Sequence, residues 1–186
     1  VVEIVNVRVN RCIELTEKRN IINSTERDSL TNLLNLDYFL RYVRMYDQHY
    51  NNMPMDAIVI DINRFHLVNE LYGREFGDQV LKTLGKSIHE FVNTIGGLAC
   101  RSDSNCFYVY IPHQENLNEV LNTQIDKIDS IFTEPKVYIR VGAYSDDGSP
   151  TSMEHRFDCA RLACHKLRHK YSTCYDFYNA ELHSKE

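Results

Sequence analysis

Apolar residues fall along this chain in two rhythms, one returning every three or four residues and one packed into short runs. Tyr38, Phe39, Tyr42, Val43 and Tyr46 recur at helical spacing until Asn51-Asn52-Met53-Pro54, a cluster that stops a helix. Residues 57 to 62, Ala-Ile-Val-Ile-Asp-Ile, form a short apolar run bounded by turn formers, as a central strand buried on both faces reads. A second helix carries Val80, Leu81, Leu84, Ile88 and Phe91 on one face, and Gly96-Gly97 restarts the chain. Strands over 98 to 101 and 106 to 111 flank Ser102-Asp103-Ser104-Asn105, a hairpin turn by composition. Leu117, Leu121, Ile125, Ile128 and Phe132 mark a third helix, which Pro135 separates from a strand alternating Val137, Ile139 and Val141. After a loop at 146 to 150, a helix puts Phe157, Ala160, Cys164 and Leu167 inward, and a short strand near 175 to 178 follows.

Strands alternating with helices and including one tight hairpin predict an α/β (α+β) fold, a central sheet of ferredoxin-like connectivity covered by helices. Ahead of it, β-branched residues from Val1 to Val9 suggest a strand and Cys12 to Ile22 a helix, with no nearby sheet to join. Residues 1 to 27 are therefore expected to be the end of an upstream sensor domain and a connecting helix, and Ile13 to Lys18 resembles the end of a PAS domain. A free or swapped tail is the alternative.

Composition narrows the function. Hydrophobic residues make up 43% and charged ones 25% of the 186 residues, enough apolar material for one domain with a real core. A formal charge of −5 leaves no electrostatic footprint for nucleic acid or anionic lipid, so neither is expected as a partner. No apolar run approaches the roughly 20 residues of a membrane span. The six cysteines lack CxxC spacing, which points to reduced thiols and a cytoplasmic setting.

Chemistry is concentrated in few places. Asp61 ends an apolar strand, where a carboxylate needs a partner or a metal, so it is a candidate Mg²⁺ ligand; a turn or cap role is the plain alternative. Tyr72-Gly73-Arg74-Glu75-Phe76-Gly77-Asp78 has two glycines that would let a ligand approach the backbone. His155, Cys159, Cys164, His165 and His169 lie on one helix, but Cys164 points inward and structural zinc usually draws on two elements, so a metal site there is disfavoured.

Taken together, Asp28-Ser-Leu-Thr-Asn-Leu-Leu-Asn35 resembles the opening DxLTGLxN of the GGDEF family, the diguanylate cyclase domain that joins two GTP molecules into cyclic di-GMP. Residues 61 to 81 resemble its DxDxFKxxNDxxGHxxGDxxL, and Asp158-Cys159-Ala160 sits as in its ADxALYxAK. The resemblance places a GGDEF-like domain at 28 to 180 and the start of a linker at 181 to 186, and implies a nucleotide-cyclase-like core. It assigns Asp61 to the metal, and Asn69 and Asp78, with Phe65, to the nucleotide. An amide and a carboxylate suit the guanine edge, although helix capping would also account for Asn69 and Asp78. The implied ligands are GTP and Mg²⁺.

The signature hairpin departs from the family's RxGGDEF. Asp103 and Ser104 stand at the glycines, Asn105 at the metal-binding acid and Cys106 at the acid beside it; Phe107 remains. Neutral Asn105 and Cys106 cannot supply the charge that two Mg²⁺ ions need. His66, His165 and His169 replace phosphate-binding cations, with Lys166 and Arg168 one residue away from the last two, and Thr94 and Gly97 replace the product-inhibition RxxD. The expected function is a degenerate, inactive GGDEF domain that regulates and dimerises within a larger bacterial signalling protein, with a sensor upstream and an EAL phosphodiesterase domain following. A weakly active cyclase using Asp61 with Glu70 or Asp103, and a purely structural interaction domain, are the rival readings.

Overall fold

The computed structural model describes residues 25–49 and 53–179. The strand and helix expected before residue 24 and the linker from residue 181 lie outside the described residues. A two-residue strand, β1 (Leu34–Asn35), leads into α1 (Leu36–His49), β2 (Met55–Ile62), α2 (Phe65–Tyr72), α3 (Arg74–Ile95), β3 (Leu98–Arg101), β4 (Cys106–Pro112), α4 (Leu117–Ile131), β5 (Ile139–Tyr144), α5 (Met153–Lys166) and β6 (Cys174–Phe177). The strands form one mixed sheet in the order β1-β3-β4-β2-β5-β6, parallel at its two outer pairs and antiparallel within.

Helices cover both faces, which explains why β2 shows no alternation. Ile58, Ile60 and Ile62 pack with Leu81, Leu84 and Ile88 of α3 and with Leu121, Ile125 and Ile128 of α4. Ala57 and Val59 face the other way, toward Phe39 and Val43 of α1 and Phe157 and Ala160 of α5. Phe157 anchors that second core, stacking on Tyr108 at 4.9 Å and meeting Phe39 edge-on at 5.7 Å. Such pairs add about 0.5–1.5 kcal/mol each beyond the area they bury.

Two expectations are corrected. The strand expected to alternate from Val137 begins at Ile139, and all six of its residues are buried, because α4 and α5 close over it from opposite sides. At Gly142 the α5 backbone lies directly on the strand. A Cβ there would sit 2.7 Å from Cys164 Cβ and nearer still to the Ala160 carbonyl and the Cys164 amide. The helix whose start was placed at Asp78 starts at Arg74, so Asp78 lies in its second turn and caps nothing. Asn69, likewise, is interior to α2.

At the end of the sheet where β2 begins, the fully buried Asp56 accepts hydrogen bonds from the amides of Gln114 and Asp146 at 2.9 and 2.8 Å and meets His113 Nδ1 at 2.8 Å. Asp146 in turn pairs with Arg156 at 2.9 Å. This polar knot ties the loops after β4 and β5 to the start of β2 and to α5.

Candidate functional site

Asp61 is the next-to-last residue of β2. The register sets it beside Cys106 of β4 and Arg140 of β5, and Arg140 beside Cys174 of β6, so four side chains form one row across four strands on one face. Arg140 Nη2 forms an ion pair with Asp61 Oδ2, and both side chains are largely buried, 11% and 17% exposed. Asn105 Nδ2 donates to Asp61 Oδ1 and, at 3.0 Å, to the Ile62 carbonyl. The Ile62 amide donates back to the Asn105 carbonyl at 3.1 Å. Both oxygens of Asp61 are thus engaged by donors of this chain.

The hairpin carrying Asn105 is held from behind. Arg101 donates to Asp28 at 3.3 Å and to the Ser104 carbonyl at 2.7 Å. Asp28 also accepts from the amide and hydroxyl of Thr31, at 2.8 and 2.7 Å. Burial pushes the Asp28 carboxyl up, but the Thr31 and Arg101 hydrogen bonds and the Arg101 charge outweigh it and hold the group below its ordinary value. The Asp-Ser-Leu-Thr stretch therefore acts as a brace for the hairpin, and Asn32 supplies its left-handed residue at φ 60°.

In front of this row lies a cavity of about 630 Å³, lined by Phe65 and Asn69 of α2, Ser104 and Asn105 of the hairpin, and Arg64, His66, Arg140, Arg168 and His169 among others. Arg64 is held in the left-handed region at φ 52°, uncommon for a residue with a side chain, and its guanidinium lies 4.4 Å over the Tyr171 ring and donates to the Tyr171 hydroxyl at 2.7 Å. Asn63 Nδ2 donates to the Lys170 carbonyl at 2.7 Å, tying the segment after α5 to the cavity wall. Gly77 gives Asn69 its room, since a Cβ there would lie 3.0 Å from Asn69 Cγ and 3.2 Å from the Phe65 ring.

An aspartate at the end of a buried strand, an adjoining hairpin and an Asn-to-Gly contact between two helices make a specific constellation, and it is matched. The family described as "Diguanylate cyclase, GGDEF domain" fits residues 25–172. This chain belongs to the GGDEF family. Among curated relatives, the probable diguanylate cyclase DgcT of Escherichia coli K12 is 35% identical over 81 residues, covering 40% of this chain and 18% of DgcT. Diguanylate cyclase DgcM of the same strain is 25% identical over 161 residues, covering 80% of this chain and 39% of DgcM. The chain thus spans well under half the length of these relatives. The coiled coil and GGDEF domain of DgcB from Caulobacter crescentus superimposes with a TM-score of 0.75 at 18% identity, over 92% of this chain and 94% of that one. The FimX GGDEF domain of Pseudomonas aeruginosa does so at 0.72 and 16%, over 81% and 98%. These two confirm the fold.

Within this GGDEF domain the residues singled out from sequence are partly gathered. Phe65, Asn69 and Asn105 line the cavity with His66 and His169, whereas Asp78 is exposed on α3 and outside the lining. Arg168 reaches the cavity; His165 and Lys166 are exposed elsewhere on the helix. Asp103 is exposed and accepts from the Ser104 amide at 2.7 Å. Phe107 is fully buried in the α3/α4 core. Burial pushes the Cys106 thiol up, and the Cys164 thiol up to about 11, so neither is a thiolate near neutral pH. His155 Nε2 and Cys159 Sγ are 3.4 Å apart with no third ligand near them.

The donor set around Asp61 does not fit Mg²⁺. Its oxygens are taken by a guanidinium and an amide N–H, Asn105 presents a donor where a ligand should present an acceptor, and Glu70 is exposed. Among the described residues no three His, Cys, Asp or Glu side chains form a metal-binding group. Sequence reading missed Arg140, although an arginine between Ile139 and Val141 in a strand has few ways to be buried without a carboxylate across from it.

Proposed function

We propose that this GGDEF domain is catalytically silent and works as a regulatory and dimerisation module of a cyclic di-GMP signalling protein, binding guanine nucleotide without converting it. The observation that carries this reading is the closure of Asp61 by Arg140 and Asn105. Joining two GTP molecules requires acids that concentrate metal charge on the triphosphate and the attacking hydroxyl, and this site offers one carboxylate already neutralised. The cavity still combines an aromatic ring and an amide, Phe65 and Asn69, with three guanidiniums, which suits a base joined to phosphates. Asp78, the residue after Gly77 on α3, is the proposed second guanine reader, although it lies outside the cavity lining.

A sensor segment over residues 1 to 27, a second copy as partner and a downstream EAL domain complete the proposal. The LapD S helix-GGDEF-EAL protein of Vibrio cholerae, similar in fold with a TM-score of 0.72 at 17% identity over 89% of this chain and 39% of that one, offers the precedent for such a string. Free thiols at all five described cysteines support a reducing cytoplasm, and no helix among the described residues is long and apolar enough to cross a membrane. The test is incubation with GTP and Mg²⁺ followed by chromatography for cyclic di-GMP. None above a no-protein blank is expected, and accumulation would establish a weak cyclase instead. Absence of any thermal shift with millimolar GTP would leave a purely structural domain.

A further inference from the structure

We propose that the Arg140 guanidinium takes over the place of a metal ion in this site, and Arg64 and Arg168 with it supply the positive charge, so that the cavity binds the phosphates of its nucleotide without any divalent cation. This rests on the nucleotide reading above and states how that same cavity recognises its ligand.

Arg64, Arg140 and Arg168 line the cavity with no Asp or Glu among the lining residues, and among the described residues the one carboxylate that pairs with any of the three is Asp61, on Arg140. Arg64 leans on the Tyr171 ring and hydroxyl, which bring no charge. Arg168 forms no ion pair among the described residues. Burial pulls the Arg140 guanidinium down from its ordinary value, and the neighbouring Arg168 charge acts in the same direction. Two buried polar atoms of residues that line the cavity, Arg140 Nε and Asn69 Oδ1, also lack partners among the described residues, which leaves a donor and an acceptor unused there.

A guanidinium differs from Mg²⁺ in ways that matter for binding. It is permanently charged, it is weakly hydrated, and its fork matches two phosphate oxygens at once. It also arrives already positioned, held by Asp61 on a strand buried at every residue. Free Mg²⁺ would chelate the nucleotide's phosphates and compete with the guanidiniums for them. The cation should therefore leave affinity unchanged or lower it, the reverse of a metal-dependent site.

The experiment is calorimetry of the full chain with GTP in EDTA and in excess MgCl₂, with inorganic tripolyphosphate as a probe lacking the base. GTP is expected to bind in EDTA at least as tightly as with Mg²⁺. Arg168→Gln should weaken metal-free binding by roughly tenfold or more, the equivalent of one charge-assisted hydrogen bond, with an unchanged melting temperature because the side chain is exposed and unpaired. Replacing Arg140 by Gln together with Asn105→Asp should turn the preference round, so that binding requires Mg²⁺; a melting curve checks that this variant folds. Binding of GTP by the native chain only in the presence of Mg²⁺ overturns the proposal and leaves the nucleotide reading standing. Binding of tripolyphosphate but not GTP in EDTA keeps the role of Arg140 and overturns the guanine reading, and binding of neither overturns both.

Discussion

Asn105→Asp restores a carboxylate at the hairpin, and in this setting it should harm the fold. The Asn105 amide donates twice, to the Asp61 carboxylate and to the Ile62 carbonyl. A hydrogen bond to a charged group contributes about 1.5–3 kcal/mol and a neutral one about 0.5–1.5, so their loss costs about 2–4 kcal/mol before two carboxylates are set against each other. Arg140 can answer only one of them. In a domain of this size each kcal/mol moves the melting temperature by roughly 2–4 °C, so a drop on the order of 10 °C is expected at neutral pH in EDTA. Acid should reverse part of it. Of two carboxylates in contact, one has its folded pKa raised above the unfolded value, the folded state then binds more protons, and stability rises as pH falls through that raised value toward the unfolded one. The assay is thermal melting of both proteins by circular dichroism at about pH 7 and about pH 5. A variant that melts within about a degree of the native chain at both values would refute the placement of the Asn105 amide on Asp61.

Gly142→Ala should cost about 3 kcal/mol or more, because the added carbon meets the backbone of α5 rather than a side chain that can turn away; an unchanged urea midpoint would mean that α5 does not rest on β5. Asp28→Asn should destabilise at neutral pH by weakening the brace on Arg101 and Thr31. Since the Asp28 carboxyl is held below its ordinary value, its contribution is present above that ordinary value and is lost as pH falls through the lower folded pKa. Urea midpoints of variant and native chain should therefore differ at about pH 7 and draw together as the pH falls below the ordinary carboxylate range, and a gap that stays constant would exclude the ionic brace.

The pattern of apolar residues was enough to place the central strand, the four long helices, the hairpin and the closing strand, because each is framed by a periodicity and a breaker. It did not reveal β1, two residues long, nor α2, the short helix that Gly73 separates from α3. Asp56 passed unnoticed because its partners, His113, Gln114 and Asp146, are far away in sequence. Motif spacing singled out Asp61, Asn69 and Asn105, and the structure sets the Asn105 amide on Asp61 and lines one cavity with Asn69 and Asn105. Arg140 was not legible, since its importance comes from strand register, which sets residues 61 and 140 side by side and which no local window contains.

That register also couples the two strands. The groups that close Asp61 come from β5 and from the hairpin, and each is tolerable because the other is present: the guanidinium supplies charge where position 105 has none, and the amide avoids crowding a carboxylate against a filled partner. A single substitution to an acid on the hairpin therefore meets an occupied aspartate, and removal of the arginine from β5 alone uncovers a lone acid beside a neutral amide. Neither step by itself improves metal binding. The arrangement works as a latch with two catches, which opens toward a metal only when both strands are altered together.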